Sequence, residues 1–298
     1  MKNVIVLLAM AIMLSACQQN QEVKKAEAEA PVVSDLARVP DSWIADRVSK
    51  AQSAMNKTEA GQLVWKSMEA HGGLERWFSN GPIAFQFDYQ PRGKGARRNT
   101  KQIVDTWNNK AVHYAATDQT AAFGWDGKDA WVTEKDTANF NYNLRFWALT
   151  PIYFLAQPFN FDGKGVQLEK LTDKTLDGKT YDAVKISFEK GTGDAPDDYY
   201  INYYDKETHR LEVLRYIVSY PKYFKDGGHS PEKLMTLHDF TTVNGITLPT
   251  AYKTYMMTEE EGKGEYVTDI AVSGIRFSAE TKKAFFEVPE GEKVLEGL

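Results

Sequence analysis

Ile83-Ala84-Phe85-Gln86-Phe87-Asp88-Tyr89 switches between large apolar and small or polar side chains at every residue, and this alternation decides the fold class. A period of two places Ile83, Phe85, Phe87 and Tyr89 on one face of a strand and Ala84, Gln86 and Asp88 on the other. Just upstream the period is helical. Asn56 and Glu59 have the spacing of a capping pair, Leu63, Val64, Met68 and Ala70 mark an apolar side, and His71-Gly72-Gly73 ends the run. Downstream the chain reads as strands joined by tight turns. Asp126-Gly127, Asp177-Gly178 and Asn244-Gly245 are hairpin dipeptides, and Asp205 to His209 separates two more strands. The expected class is mainly β with helices (α+β), an antiparallel sheet that curls into a barrel or half-barrel.

Leu211 to Tyr220 adds a constraint, because both of its faces are apolar. Strict alternation puts Leu211, Val213 and Ile217 on one side and Leu214, Tyr216, Val218 and Tyr220 on the other. A strand with one wet face would not read this way. Each face therefore needs a cover: a helix on one side and a ligand on the other, or protein on both.

The N-terminus carries an export signal. Lys2 precedes the apolar run Val4 to Leu14, which is too short to span a bilayer and ends in Leu14-Ser15-Ala16-Cys17. Cys17 is the single cysteine of 298 residues, so it has no partner for an internal disulfide. Position and isolation together point to a lipoprotein: signal peptide over residues 1–16, then acyl chains such as palmitate on Cys17 that anchor the protein to a membrane. Gln18 and Gln19 follow where an Asp would favour inner-membrane retention, so the expected location is the outer membrane, facing the periplasm. Residues 17–57 read as the lipidated cysteine and a flexible tether, with a short helix at Trp43 to Met55, and residues 58–298 as one domain. Removing the signal deletes Lys2 and no acid, so the charge goes from −5 to −6. An acidic chain without a concentrated basic face is no nucleic-acid binder.

The order of parts resembles the LolA/LolB group of lipoprotein-sorting proteins. The resemblance rests on the helix ending Ala70-His71-Gly72-Gly73-Leu74-Glu75-Arg76-Trp77 before the first strand and on the Asp126-Gly127-Lys128 and Asp177-Gly178-Lys179 turns. It continues through Tyr203-Tyr204-Asp205-Lys206-Glu207-Thr208, Val243-Asn244-Gly245-Ile246-Thr247-Leu248-Pro249 and Phe285-Phe286-Glu287-Val288-Pro289. It implies an open antiparallel half-barrel wrapped around short helices, with an apolar hollow for acyl chains and no catalytic residue. Shared fold is weak ground for shared function.

Tyr142 to Phe161 is the most apolar stretch after the signal. Pro151 and Pro158 argue against one unbroken helix there. It reads either as a lid over the hollow or as buried core. The candidate ligand-binding residues are Trp147, Leu149, Ile152, Tyr153, Phe154, Leu155 and Phe159, with Trp125, Trp131 and Tyr216 as neighbours. Arg92, Lys94, Arg97, Arg98 and Lys101 form a basic loop, read as a contact for headgroups or an acidic partner, or as a solvated hairpin tip. The five histidines lack metal-site spacing, and no metal or cofactor is expected. Asp194, Asp197 and Asp198 lack the calcium-loop order. His71 is explained by the helix C-terminal dipole and a turn. No nucleophile motif stands out: Ser230 to Lys233 matches Ser-x-x-Lys in letters only. Three functions follow: an anchored protein binding a lipid or other hydrophobic ligand; an envelope interaction or sensor module with a filled barrel; and a hydrolase using a composite of His229, His238 and Asp239.

Overall fold

The computed structural model describes residues 34–133 and 139–295. The signal peptide, Cys17 and the first part of the tether lie outside the described residues. Residues 34–298 form a compact unit of their own. This moves the domain start upstream of residue 58, because residues taken for tether pack inward: Ala37, Val39, Ile44, Ala51 and Met55 are buried.

Three helices come first: α1 (Asp41–Met55), α2 (Glu59–Ala70) and α3 (Leu74–Ser79). Thr58, not Asn56, caps α2, its Oγ1 accepting the Gly61 N–H at 3.0 Å, while Asn56 closes α1. Leu63, Val64 and Met68 are buried, as the helical period requires. The break after α2 uses left-handed backbone at Gly72 (φ 118°), and a Cβ there would lie 2.1 Å from the Gly245 carbonyl oxygen. Glycine lets the helix corner touch the Asn244-Gly245 turn.

Strands β1 (Ile83–Pro91), β2 (Arg98–Asp105), β3 (Lys110–Ala115), β4 (Ala122–Trp125) and β5 (Ala130–Val132) form the first meander. After helix α4 (Leu144–Leu155) comes the second: β6 (Val166–Leu176), β7 (Lys179–Phe188), β8 (Tyr200–Asp205), β9 (Leu211–Tyr216), β10 (Lys233–Val243), β11 (Ile246–Met257) and β12 (Lys263–Phe277), with β13 (Lys293–Leu295) last. The sheet order is β13-β5-β4-β3-β2-β1-β12-β11-β10-β9-β8-β7-β6, with neighbouring strands antiparallel. Its two ends, β13 and β6, do not pair, so this is an open half-barrel. At two hairpins the dipeptide supplies the left-handed pair that a tight turn needs: Asp177 and Gly178 at φ 51° and 80°, Asn244 and Gly245 at 47° and 79°.

Alternation along β1 sends Ile83, Phe85 and Phe87 into one continuous core with α1 to α4. The two-sided strand is β9, and protein covers both faces. Leu211, Leu214 and Tyr216 join the main core, whereas Val213 joins a second core with Leu176, Tyr181, Ala183, Ile201, Tyr203 and Leu234. Leu211 sits with Leu214 rather than with Val213 because the β8–β9 register slips between Tyr203 and Tyr204. Arg215 lies over the second core, bonded to Glu232 (2.7 Å), to Glu261 of the β11–β12 turn (2.8 Å) and to the Tyr203 hydroxyl (3.3 Å). Glu261 also accepts from Lys174 of β6 at 2.7 Å, so the β11–β12 tip folds across this face.

Two buried histidines bind elements together in the neutral form. His71 donates from Nδ1 to the Thr247 carbonyl (2.7 Å), and its Nε2 accepts the Leu211 N–H (3.1 Å), joining α2 to β11 and β9. Burial pushes it down to about 4, against the Thr247 bond. A charged ring answering the helix dipole is therefore not its role. His113 donates from Nε2 to the Ala148 carbonyl of α4 (2.8 Å) and accepts from Thr100 Oγ1 (3.1 Å), and burial likewise pushes it down to about 4.

Two predictions follow from these contacts. Arg215→Met strands Glu232 and unlatches the β11–β12 tip, at a cost of about 1–3 kcal/mol in urea denaturation of residues 34–298; an unchanged midpoint contradicts the latch. The histidines stay neutral when folded but protonate near pH 6.5 when unfolded. Their stabilisation is complete above pH 6.5 and lost as pH falls toward 4. Unfolding near pH 5 takes up about two protons from these groups, and about one in His113→Gln. Urea midpoints against pH read this slope, and a slope unaltered by the substitution contradicts the assignment.

Candidate functional site at the α4 crossing

β5 lies next to one end of the sheet and β6 forms the other. The chain between them must therefore cross the concave face, and α4 is that crossing. Asn143 Oδ1 starts the helix by accepting the Phe146 N–H at 2.8 Å. Pro151 sits inside α4, which runs on to Leu155, and the proline's missing N–H leaves the Trp147 carbonyl without its intrahelical partner; residues 142–161 are not one unbroken helix, since a separate 3₁₀ turn, Phe159–Phe161, follows Pro158. The His113 bond to Ala148 pins the helix to β3.

Six of the ten candidate residues come together in the main core: Trp147, Ile152, Phe154, Leu155, Phe159 and Tyr216. Phe154 meets Tyr216 edge-on at 5.2 Å, and Phe159 stacks on Trp77 at 5.0 Å. Leu149, Tyr153 and Trp125 are half-buried against this core, Tyr153 lying 6.0 Å from Tyr200. Burial raises the Tyr153 hydroxyl to about 12. Trp131 is separate. It points to the opposite face of the sheet, against Val112, Ala122 and Phe286. One residue of register makes this difference, since Phe123 and Val132 point inward while Trp131 pairs with Gly124 and points outward.

The expected hollow is thus filled by the chain's own helices. Two recesses stand out among the described residues, and both open outward. One of about 550 Å³ is lined by Val132, Phe140, Tyr142, Leu144, Arg145 and Val294. The other, of about 690 Å³, lies over Phe240, Thr250, Val272 and Gly274.

The basic loop separates into paired and unpaired cations. Arg92 bonds Asp269 at 2.9 Å, and Arg97 grips Asp88 with two bonds of 2.6 and 2.8 Å. Arg98 lies opposite inward-facing Tyr89 and turns inward with it. Its guanidinium carbon lies 4.4 Å from the Trp147 ring centre, 5.1 Å from Tyr89 and 5.3 Å from Tyr142. Farther along the same rim, Lys233 of β10 pairs with inward-facing Tyr216, 5.7 Å from that ring, and burial lowers its pKa. Neither Arg98 nor Lys233 has a carboxylate partner among the described residues. Sequence reasoning grouped Arg98 with its neighbours because strand parity past Gly95 cannot be read from the loop, and it met Lys233 only as the end of a Ser-x-x-Lys match, since its facing depends on register.

Of the composite hydrolase set, His229 bonds the Ser230 carbonyl at 2.7 Å and His238 bonds Thr236 Oγ1 at 2.9 Å; no hydrogen bond among the described residues joins either to Asp239. Asp194 pairs with Arg145, and Asp198 accepts from Ser219. Among the described residues no group of three His, Cys, Asp or Glu side chains could hold a metal ion, and no helix is long and apolar enough to cross a membrane.

No family model matches the sequence, and no curated protein matches it. Solved structures do. The chain is similar to a LolA superfamily protein from Nitrosomonas europaea, at 12% identity over 78% of this chain and 98% of that one, with a TM-score of 0.49. A DUF1329 family protein from Desulfovibrio piger aligns at 14% identity over 75% and 97% of the two chains, with a TM-score of 0.49. A putative outer membrane lipoprotein-sorting protein domain from Vibrio parahaemolyticus aligns at 10% identity over 73% and 97%, with a TM-score of 0.44. At these identities the likeness concerns the fold alone, and the strand order establishes the open half-barrel independently.

Proposed function

We propose that this protein is an envelope lipoprotein, held to the outer membrane through Cys17, whose half-barrel takes an amphiphilic lipid with α4 as the element that yields. The α4 crossing carries this reading. It is a helix of mostly apolar residues, joined to the sheet chiefly by aromatic contacts and one histidine bond, on the concave face where an alkyl chain would lie. Two buried polar atoms here make no hydrogen bond within the protein: Trp147 Nε1 and Tyr252 OH. A wall with unspent donors and acceptors suits a ligand that brings polar groups, whereas a core built only for packing would leave none. An alkyl chain replacing α4 side chains gains about 0.8 kcal/mol per buried methylene, which offsets the lost packing of the helix. No catalytic step is assigned.

Two experiments test this. The full chain expressed in a bacterial envelope incorporates a palmitate label, and Cys17→Ser loses it; equal labelling of both contradicts the anchor. Residues 34–298, titrated with monopalmitoylglycerol, palmitate and lysophosphatidylglycerol below their micellar concentrations, bind with micromolar Kd and shift an emission component that Trp147→Phe removes. No binding of any of the three contradicts the lipid reading.

The filled concave face favours a second reading, an interaction module whose helices are permanent core. In that case no amphiphile binds, and crosslinking in cells captures one envelope protein reproducibly.

A further inference from the structure

We propose that Arg98 is the headgroup site: it binds the phosphate or carboxylate of an anionic amphiphile at the rim of the half-barrel. The inference rests on the lipid reading above and specifies which lipids the site takes.

Neighbouring cations show what an ordinary surface arginine does here. Arg97 and Arg92 each find a carboxylate within 3 Å, on Asp88 and Asp269. Arg98, one residue from Arg97, finds none. It lies instead among Trp147, Tyr89 and Tyr142, and its Nε is buried without a hydrogen bond. Rings orient a guanidinium through their negative faces but do not neutralise it. The planar fork is thereby fixed before any ligand arrives, which spares the ordering cost of a long side chain and suits two-point binding of a carboxylate or phosphate.

The surroundings place an alkyl chain next to that charge. Trp147, the nearest ring, belongs to α4, and Tyr142 also lines the 550 Å³ recess with Phe140, Leu144 and Val294. An amphiphile with its head on Arg98 thus has aromatic wall and the α4 track for its tail. The same inner rim carries further groups able to donate: the Tyr89 hydroxyl, which accepts from Thr268 Oγ1 at 3.4 Å, and Lys233, which carries no ion pair among the described residues. Asp88 and Asp269 are engaged by Arg97 and Arg92. On a chain of net charge −5 this is a local positive rim.

The three probes named above separate the possibilities. A charge-assisted bidentate contact makes palmitate, lysophosphatidylglycerol or both bind at least about tenfold tighter than neutral monopalmitoylglycerol. Preference for palmitate identifies a carboxylate site, and preference for lysophosphatidylglycerol identifies a phosphate site. Arg98→Met abolishes the preference, Arg98→Lys retains part of it, and Arg97→Met leaves it intact. Should Arg98→Met fail to fold by circular dichroism, Arg98→Gln and the loss of preference in high salt carry the same test. Equal affinity for all three probes in the native protein overturns the Arg98 site and leaves the lipid reading standing, as does an anion preference that survives in Arg98→Met. Binding of none overturns both.

Discussion

The connection between β5 and β6 constrains everything else in this fold. The first meander finishes beside one edge of the sheet and the second starts at the other edge. Some 30 residues must bridge the concave face, and a bridge through an apolar interior has to satisfy its own backbone. A helix does this within itself, so the crossing becomes α4, and its side chains become the middle of the core. The sheet stays open for the same reason: with a helix and its aromatic partners inside, β6 and β13 cannot meet.

The two faces of the sheet are closed by different means. Inside, aromatic and aliphatic side chains of α1 to α4 pack on alternate strand residues, with His71 and His113 as neutral ties. Outside, β11 and β12 fold their turn across a smaller core and fasten it with Arg215 and Glu261. Such a latch counts for more than a free surface pair, because Arg215 is buried against a tyrosine and leaving its partners unmatched is costly. Arg98 and Lys233 are cations that strand parity sends to the inner rim. That distribution, and not the total charge, gives the rim its sign.

Much of the fold was legible in the residues. Alternation in β1, the hairpin dipeptides and the helical stripe of α2 each depend on neighbours close in sequence, and each appears where the pattern put it. What could not be read depends on distant partners. Thr58 rather than Asn56 caps α2 because α1 ends at Met55 and uses Asn56 for its own end. Trp131 and Leu211 were misassigned by one residue of parity, the first through its pairing with Gly124 and the second through a register slip opposite Tyr204. Pro151 and Pro158 argued against one unbroken helix, yet which of them interrupts it depends on the surrounding core: α4 runs through the first and ends before the second. The α4 segment was visible as an apolar stretch, but whether it fills the hollow or covers it is a property of the folded sheet. Arg98 was visible only as one of five basic residues, since nothing local distinguishes a guanidinium bound for solvent from one bound for a ring cage.

The central claim is that α4 is a replaceable occupant of the half-barrel and not permanent core. Hydrogen–deuterium exchange on residues 34–298, with and without lysophosphatidylglycerol, measures this directly. The account predicts that amides of residues 144–155 exchange through a lower-energy opening than those of β1, and that ligand changes their protection while β1 stays constant. Amides of α4 that open only with global unfolding, indifferent to ligand, would contradict it.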